Sequence, residues 1–349
     1  LAGVNGHPCI GTLPGEHMSH DIDDSTGQPA MAYVGEEPWH GLGEKLPAGQ
    51  SIDVWKRAAR LDWTIQMVPV QYQYAGRNRV MPQRFVLTRS DTGGALSVVS
   101  ADYQVVQPEE VLEFYRDLVA QRHYTLETAG ALDGGRKVWA LAKTGMVSHV
   151  AGNAADQLGA YVLLATSCDK SLATTVSFTS IRVVCQNTLG FAFADMSTNH
   201  RRHIKVDHNK RFDHGSVKDS LGLIDESWSK FLAKVNPMAT HALTDSAAQN
   251  YFESLFDTSD ASSGKPLPLA KSREVYQMMS LYRSANGQDI STAKRTLWGA
   301  VNAVTYYTDH VRPTKRTERI DSAWFGSGAA LKARAWLRAE ELIDPSAIC

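Results

Sequence analysis

Residues 199–214, NHRRHIKVDHNKRFDH, hold five Lys or Arg, two Asp and four His within sixteen positions. Phosphate neutralisation needs cations clustered this densely, because each contact releases counterions condensed on a nucleic-acid strand. His200, Arg201, Arg202, His203, Lys205, Lys210 and Arg211 can line one edge of a strand-binding groove. The competing reading is a solvated connector between two halves of the chain. His200 and His203 also stand at i, i+3, but no acidic or thiol partner completes a tetrahedral set. The expectation is no metal and no cofactor.

A second chemistry-bearing stretch is SCDKSLATTVSFTSIRVVCQNTL (167–189). Its β-branched, apolar body predicts a buried hairpin with Asp169 and Lys170 in the turn. Arg182, Cys185, Gln186 and Asn187 mark its far end, where a change of period predicts a helix leaving the sheet from about Val183. An arginine at such a junction is rarely buried without a partner. Two readings stand for Arg182: it pairs with Asp169 or another acid, or it points into a groove and meets phosphate. Cys168 and Cys185 read as small buried thiols. With only Cys9 and Cys349 besides, and no C-x-x-C pair, the cysteines suggest a reducing, cytoplasmic compartment.

Weaker signals are spread along the chain. RPTKRTER (312–319) is basic and reads as a phosphate-facing or a solvated loop. Pro38-Trp39-His40-Gly41-Leu42-Gly43 reads as a tight loop held by Trp39, with His40 as a conceivable catalytic group. Trp298, Asn302, Thr305 and Asp309 share one helical face, where an Asn among apolar residues wants a buried partner. There is no G-x-S-x-G, P-loop, H-E-x-x-H or strand-linked G-x-G-x-x-G.

The elements that must position these residues are β-rich first and helical later. Ser51 is placed to cap a helix through Leu61. WTIQMVPVQYQY and VMPQRFVLTR alternate around a turn at 75–78, and a turn at 91–94 leads into ALSVVS. Pro108-Glu109-Glu110 opens a helix to about Arg122. Asp133-Gly134-Gly135 joins two strands, and LGAYVLLATS and LATTVSFTSI follow. Helical stripes occupy 216–235, 244–256, 272–285, 292–311 and 327–343, with a Ser/Gly/Pro-rich linker at 257–271. The expected class is α+β: an antiparallel β-rich N-terminal half with packed helices, followed by an α-helical C-terminal half. Residues 1–17 read as upstream readthrough or a cloning remnant before Met18. The β-rich core then spans 18–198, the basic connector 199–215 and the helical region 216–349.

At 349 residues, with 43% hydrophobic and 21% charged side chains, the composition is that of an ordinary globular protein. Net charge is −1, so no global field draws it to nucleic acid or to an anionic membrane. No apolar run approaches the length of a membrane span.

Four stretches in order, MAYVGEEPWHGLG (31–43), the hairpin at 167–189, TLWGAVNAVTYYTDH (296–310) and SAWFGSGAALKARA (322–335), resemble the phage/plasmid-like family called domain of unknown function 932. Tyr306 departs from the acidic residue expected before Tyr307. The resemblance carries no activity or catalytic residue with it; its setting of mobile elements implies a DNA-linked or host-interaction role. A β-rich core with helices packed on it is also loosely similar to phage single-strand annealing proteins.

The leading expectation is a non-enzymatic nucleic-acid-binding protein of a phage or plasmid element, acting in single-strand DNA annealing or recombination. Lys170, Arg182, Arg201, Arg202, Lys205, Lys210 and Arg211 would contact phosphate, and Tyr161 or Tyr124 would offer a stacking face. A homo-oligomer would suit annealing. The first rival is a protein-interaction or host-defence-interference protein, which would leave an apolar patch exposed. The second is an enzyme of unrecognised type built on His40, Asp169, Arg182 and Cys185, which would converge in one pocket.

Overall fold

The structure is a computed structural model that describes residues 22–38, 41–122, 124–182, 187–190, 203–206, 224–256, 269–312 and 319–344. The class is α+β, as the alternation of strand and helix periods predicts. Strands β1 (Met31–Val34) and β2 (Glu44–Leu46) lead into helix α1 (Ile52–Ala58), whose N-cap Ser51 accepts from the Val54 N–H at 3.4 Å. Strands β3 (Ile65–Tyr74), β4 (Arg77–Arg89) and β5 (Ala95–Ser100) form a separate three-stranded antiparallel sheet. Helix α2 (Pro108–Arg122) follows, opened by its proline.

The main sheet is built from β6 (Thr125–Leu132), β7 (Lys137–His149), β8 (Gln157–Ser167) and β9 (Thr174–Arg182). Its order is β10-β9-β8-β7-β6-β1-β2, antiparallel except for the β1–β2 pair. Two short strands share the outer edge of β9: β10 (Asn187–Gly190) pairs with residues 179–182, and β11 (His203–Val206) with residues 174–177. The first corrects the sequence reading. The expected helix after Val183 gives way to a strand at 187–190. The expected connector at 199–215 carries β11 at its centre, where Ile204 and Val206 favour extended backbone.

Alternation along β8 sends side chains to two faces. Val162 and Leu164 pack with Leu112 and Tyr115 of α2. Leu158 and Ala160 pack instead into the helical half: α3 (Ile224–Thr240), α4 (Asp245–Ser254), α5 (Leu269–Ser284), α6 (Leu297–Tyr306) and α8 (Ser327–Ile343). Tyr161, Leu163 and Ala165 face the other way, towards Trp139 of β7 and Ile320 of α7 (Arg319–Trp324). Helix α6 is capped by Thr296, whose hydroxyl accepts from the Gly299 N–H at 3.1 Å, and it ends in a π-helical turn, Tyr307–Val311. Among the described residues no helix is long and apolar enough to cross a membrane.

Candidate nucleic-acid interface

Strands β3 and β4 run past the sheet that anchors them. Their inner ends, Ile65–Pro69 against Phe85–Arg89, are held by β5 and by Leu87 and Val99 in a small core. Beyond that the pairing breaks. Pro69 lies opposite Phe85, but the next registered pair is Gln71 with Val80, so Met81–Arg84 form an elbow, with Gln83 at φ 54°. Bulges bend a ribbon and raise its twist, and proline is tolerated there because it has no N–H to lose.

Past the elbow the distal hairpin is closed by Ala75 and Gly76, both at positive φ, 49° and 73°. That is the two-residue I′ geometry, whose twist matches the flanking strands. From Gln66 to Arg84 every residue but Val70 is exposed. The arm therefore projects with solvent on both faces.

Its chemistry is one-sided. From Trp63 to Ser90 there is no Asp or Glu, while Arg77, Arg79 and Arg84 are exposed. Tyr72 faces Arg79 across the ladder and Tyr74 faces Arg77, so all four occupy one side. The Arg79 guanidinium lies 5.7 Å from the Tyr74 ring centroid. Gln71, Gln73 and Asn78 occupy the opposite side. Tyr72 and Tyr74 are 49% and 66% exposed, which leaves ring faces available for stacking.

The residues singled out from sequence lie elsewhere. Lys170 sits in the β8–β9 turn at φ 66°, exposed, its ammonium 5.9 Å from the Tyr103 ring centroid. Lys205 stands on β11 opposite Thr175, near the same end of β9. Arg182 is at the other end of β9, about 26 Å of strand away. Arg201, Arg202, Lys210 and Arg211 fall outside the described residues. Tyr161 and Tyr124 are buried at 4% and 7% exposure and present no stacking face.

Arg182 belongs to the interior. Its side chain is 2% exposed; Nε donates to Asp156 Oδ1 at 2.5 Å, and Nη2 donates to the Gly287 carbonyl at 3.1 Å. Asp156 is fully buried, and its other oxygen accepts from Thr292 Oγ1 at 2.5 Å and Trp298 Nε1 at 3.2 Å. The guanidinium therefore meets an internal acid and is removed from the phosphate-contacting set. A charge this deep in the protein needs a fixed counter-charge, and Asp156 supplies it. The network also joins the ends of β8 and β9 to the segment leading into α6.

Of the residues offered for an enzyme, the two described ones stand apart. Asp169 and Arg182 lie at opposite ends of β9, and His40 and Cys185 fall outside the described residues. Although burial would raise it, hydrogen bonds from Ser171 and Ser167 hold the Asp169 carboxyl below its usual range. Burial, with Asp169 nearby, pushes the Cys168 thiol up to about 12, the mark of an inert buried cysteine. Asn302 donates to the Trp298 carbonyl at 2.8 Å, a structural bond within α6.

The arm was missed because its alternation is equally that of a half-buried hairpin. The legible signal is the acid-free run with Q-Y-Q-Y on one side of the turn and R-N-R on the other.

No curated protein and no solved structure matches the chain. The family model described as Domain of unknown function (DUF932) matches residues 95–324, beginning at β5 and so just past the arm. The match spans well over half of the chain, and the chain belongs to that family.

Proposed function

We propose that this chain is a non-enzymatic nucleic-acid-binding protein that holds single-stranded DNA along the β3–β4 arm, as strand annealing or recombination requires. One observation carries the reading: a projecting, acid-free ribbon places Tyr72, Tyr74, Arg77 and Arg79 on one face. Exposed aromatics stack on bases of any sequence, and neighbouring guanidinium groups neutralise phosphate. The near-neutral net charge is compatible with this, because the cations are concentrated where the acids are absent. A phage or plasmid setting is part of the same proposal.

The test is a mobility-shift titration of the full chain with oligo-dT at several salt concentrations. Replacing Arg77, Arg79 and Arg84 with Ala should flatten the log–log salt slope by about 0.7 for each phosphate no longer neutralised. Tyr72→Ala with Tyr74→Ala should weaken binding by about 1–3 kcal/mol per stacked base and leave the slope unchanged. A wild-type slope in the arginine variant, or no shift at low salt, overturns the proposal.

A protein-interaction role is the second reading. Seven of the ten exposed large apolar side chains among the described residues lie on β3–β5, among them Met67, Val68, Val80, Met81 and Val98. Contiguous exposed apolar surface marks docking to protein. Arm variants that change sedimentation and leave the DNA shift intact would favour it.

A further inference from the structure

On the face of the main sheet that carries Tyr161 lies a cavity of about 560 Å³, roofed by α7 and the π-helical turn. This lies within the usual range for small-molecule sites. Two separate backbone irregularities aim polar groups into it. In β6, Leu126 pairs with Ala142 and Thr128 with Leu141, which leaves Glu127 as the extra residue of a β-bulge. At the end of α6, the π-turn brings Asp309 and His310 to the opposite wall. Such irregularities are costly and concentrate where a side chain must be re-aimed.

The walls between them are aromatic. Tyr33, Trp139, Tyr161 and Trp324 all line the space, and Trp139 meets Trp324 edge to face at 6.1 Å between centroids. The described lining carries both signs of charge. Asp309 is neutralised by Lys332 from α8, whose ammonium lies 2.7 Å from its carboxylate. Glu127 shares the lining with Lys143, and Glu36, Glu37 and His310 also belong to it. Burial raises the Glu127 carboxyl above its ordinary value, outweighing the opposing pull of Lys143 and of the Tyr161 hydroxyl. A second cation beside it would relieve that cost.

We propose that this cavity binds a small organic cation, an amine or amidine with a flat apolar body, which stacks among Tyr33, Trp139 and Trp324 and places its charged nitrogen on Glu127. Aromatic walls attract cations through their negative ring faces, and a carboxylate at the end fixes the orientation. The arm plays no part in this site, so the two proposals stand or fall separately.

Three probes of nearly equal shape and different charge test it by calorimetric titration of the full chain: benzamidine, benzamide and benzoate. Benzamidine should bind saturably, with benzamide and benzoate each about tenfold weaker or more. Glu127→Gln should cost benzamidine about tenfold and leave benzamide unchanged. Lys143→Met, which removes the competing cation, should tighten benzamidine; a misfolded variant would not. Absence of saturable benzamidine binding, benzoate binding as tightly, or an unchanged constant in Glu127→Gln would each overturn the proposal.

Discussion

Removing the Asp156 carboxylate should be among the most damaging single changes this fold can suffer. Asp156→Ala takes from the Arg182 guanidinium, 2% exposed, the buried carboxylate that its Nε meets. It also strips acceptors from Thr292 and Trp298. Breaking one side of a buried pair costs about 3–5 kcal/mol, most of it the penalty of the charge left behind. In a chain of this size that corresponds to a fall in Tm of about 4–7 °C. Urea unfolding followed by circular dichroism measures it. Arg182→Met alone should cost less, because methionine fills part of the space and the orphaned carboxylate keeps Thr292 and Trp298. In the double variant the damage should fall well short of the sum, with a coupling of about 2–3 kcal/mol. Arg283 and Asp245, an exposed pair at 2.9 Å, serve as the control, and their loss should stay within about 1 kcal/mol. Additive single effects, or an Asp156→Ala cost no larger than the control, would refute the assignment of Arg182 to a buried ion pair.

Glu127 supplies a pH signature. Burial holds its carboxyl above the ordinary 4.5, so its stabilising contribution is present below that value and lost as pH rises through the raised one. Glu127→Gln, which cannot ionise, should therefore gain in Tm relative to wild type as pH is raised from about 4 to 7; a constant difference would contradict this. Cys168, pushed up to about 12, should resist iodoacetamide at pH 8 in the folded protein and react fully in urea, read by mass spectrometry of its peptide. Gly299→Ala should yield unstable protein, at a cost of about 3 kcal/mol or more, because an added Cβ would stand 1.9 Å from the Ala293 carbonyl oxygen. Near-wild-type melting would show that α6 can shift.

What could be read in advance followed from local chemistry. Ser51, the Asp133-Gly134-Gly135 turn and Pro108 announce their elements because capping, positive φ and a missing N–H act within a few residues. The helical stripes after residue 224 were equally legible, since little besides a helix produces a 3.6-residue period. Strand β10 escapes a sequence reading because four residues, Asn187–Gly190, are too few to fix a period. The sequence leaves Arg182 open between an internal acid and a phosphate, since a partner 26 positions away gives no spacing signal. The cavity was beyond reach for a related reason. Glu127 reaches it through a bulge that depends on β7, and Trp324 closes it from the far end of the chain. The arm shows a third limit: alternation reveals that a hairpin forms, but not whether anything covers it.

That bareness has an evolutionary reading. Side chains between Gln66 and Arg84 support almost none of the fold, so drift there is nearly free of the constraints that govern a core. The short Ala75-Gly76 turn is the exception. Because it sets the register, a single inserted residue would turn Tyr72 and Tyr74 away from Arg77 and Arg79. Substitutions along this ribbon should thus record what the protein touches, whereas a change of length would erase the pattern altogether.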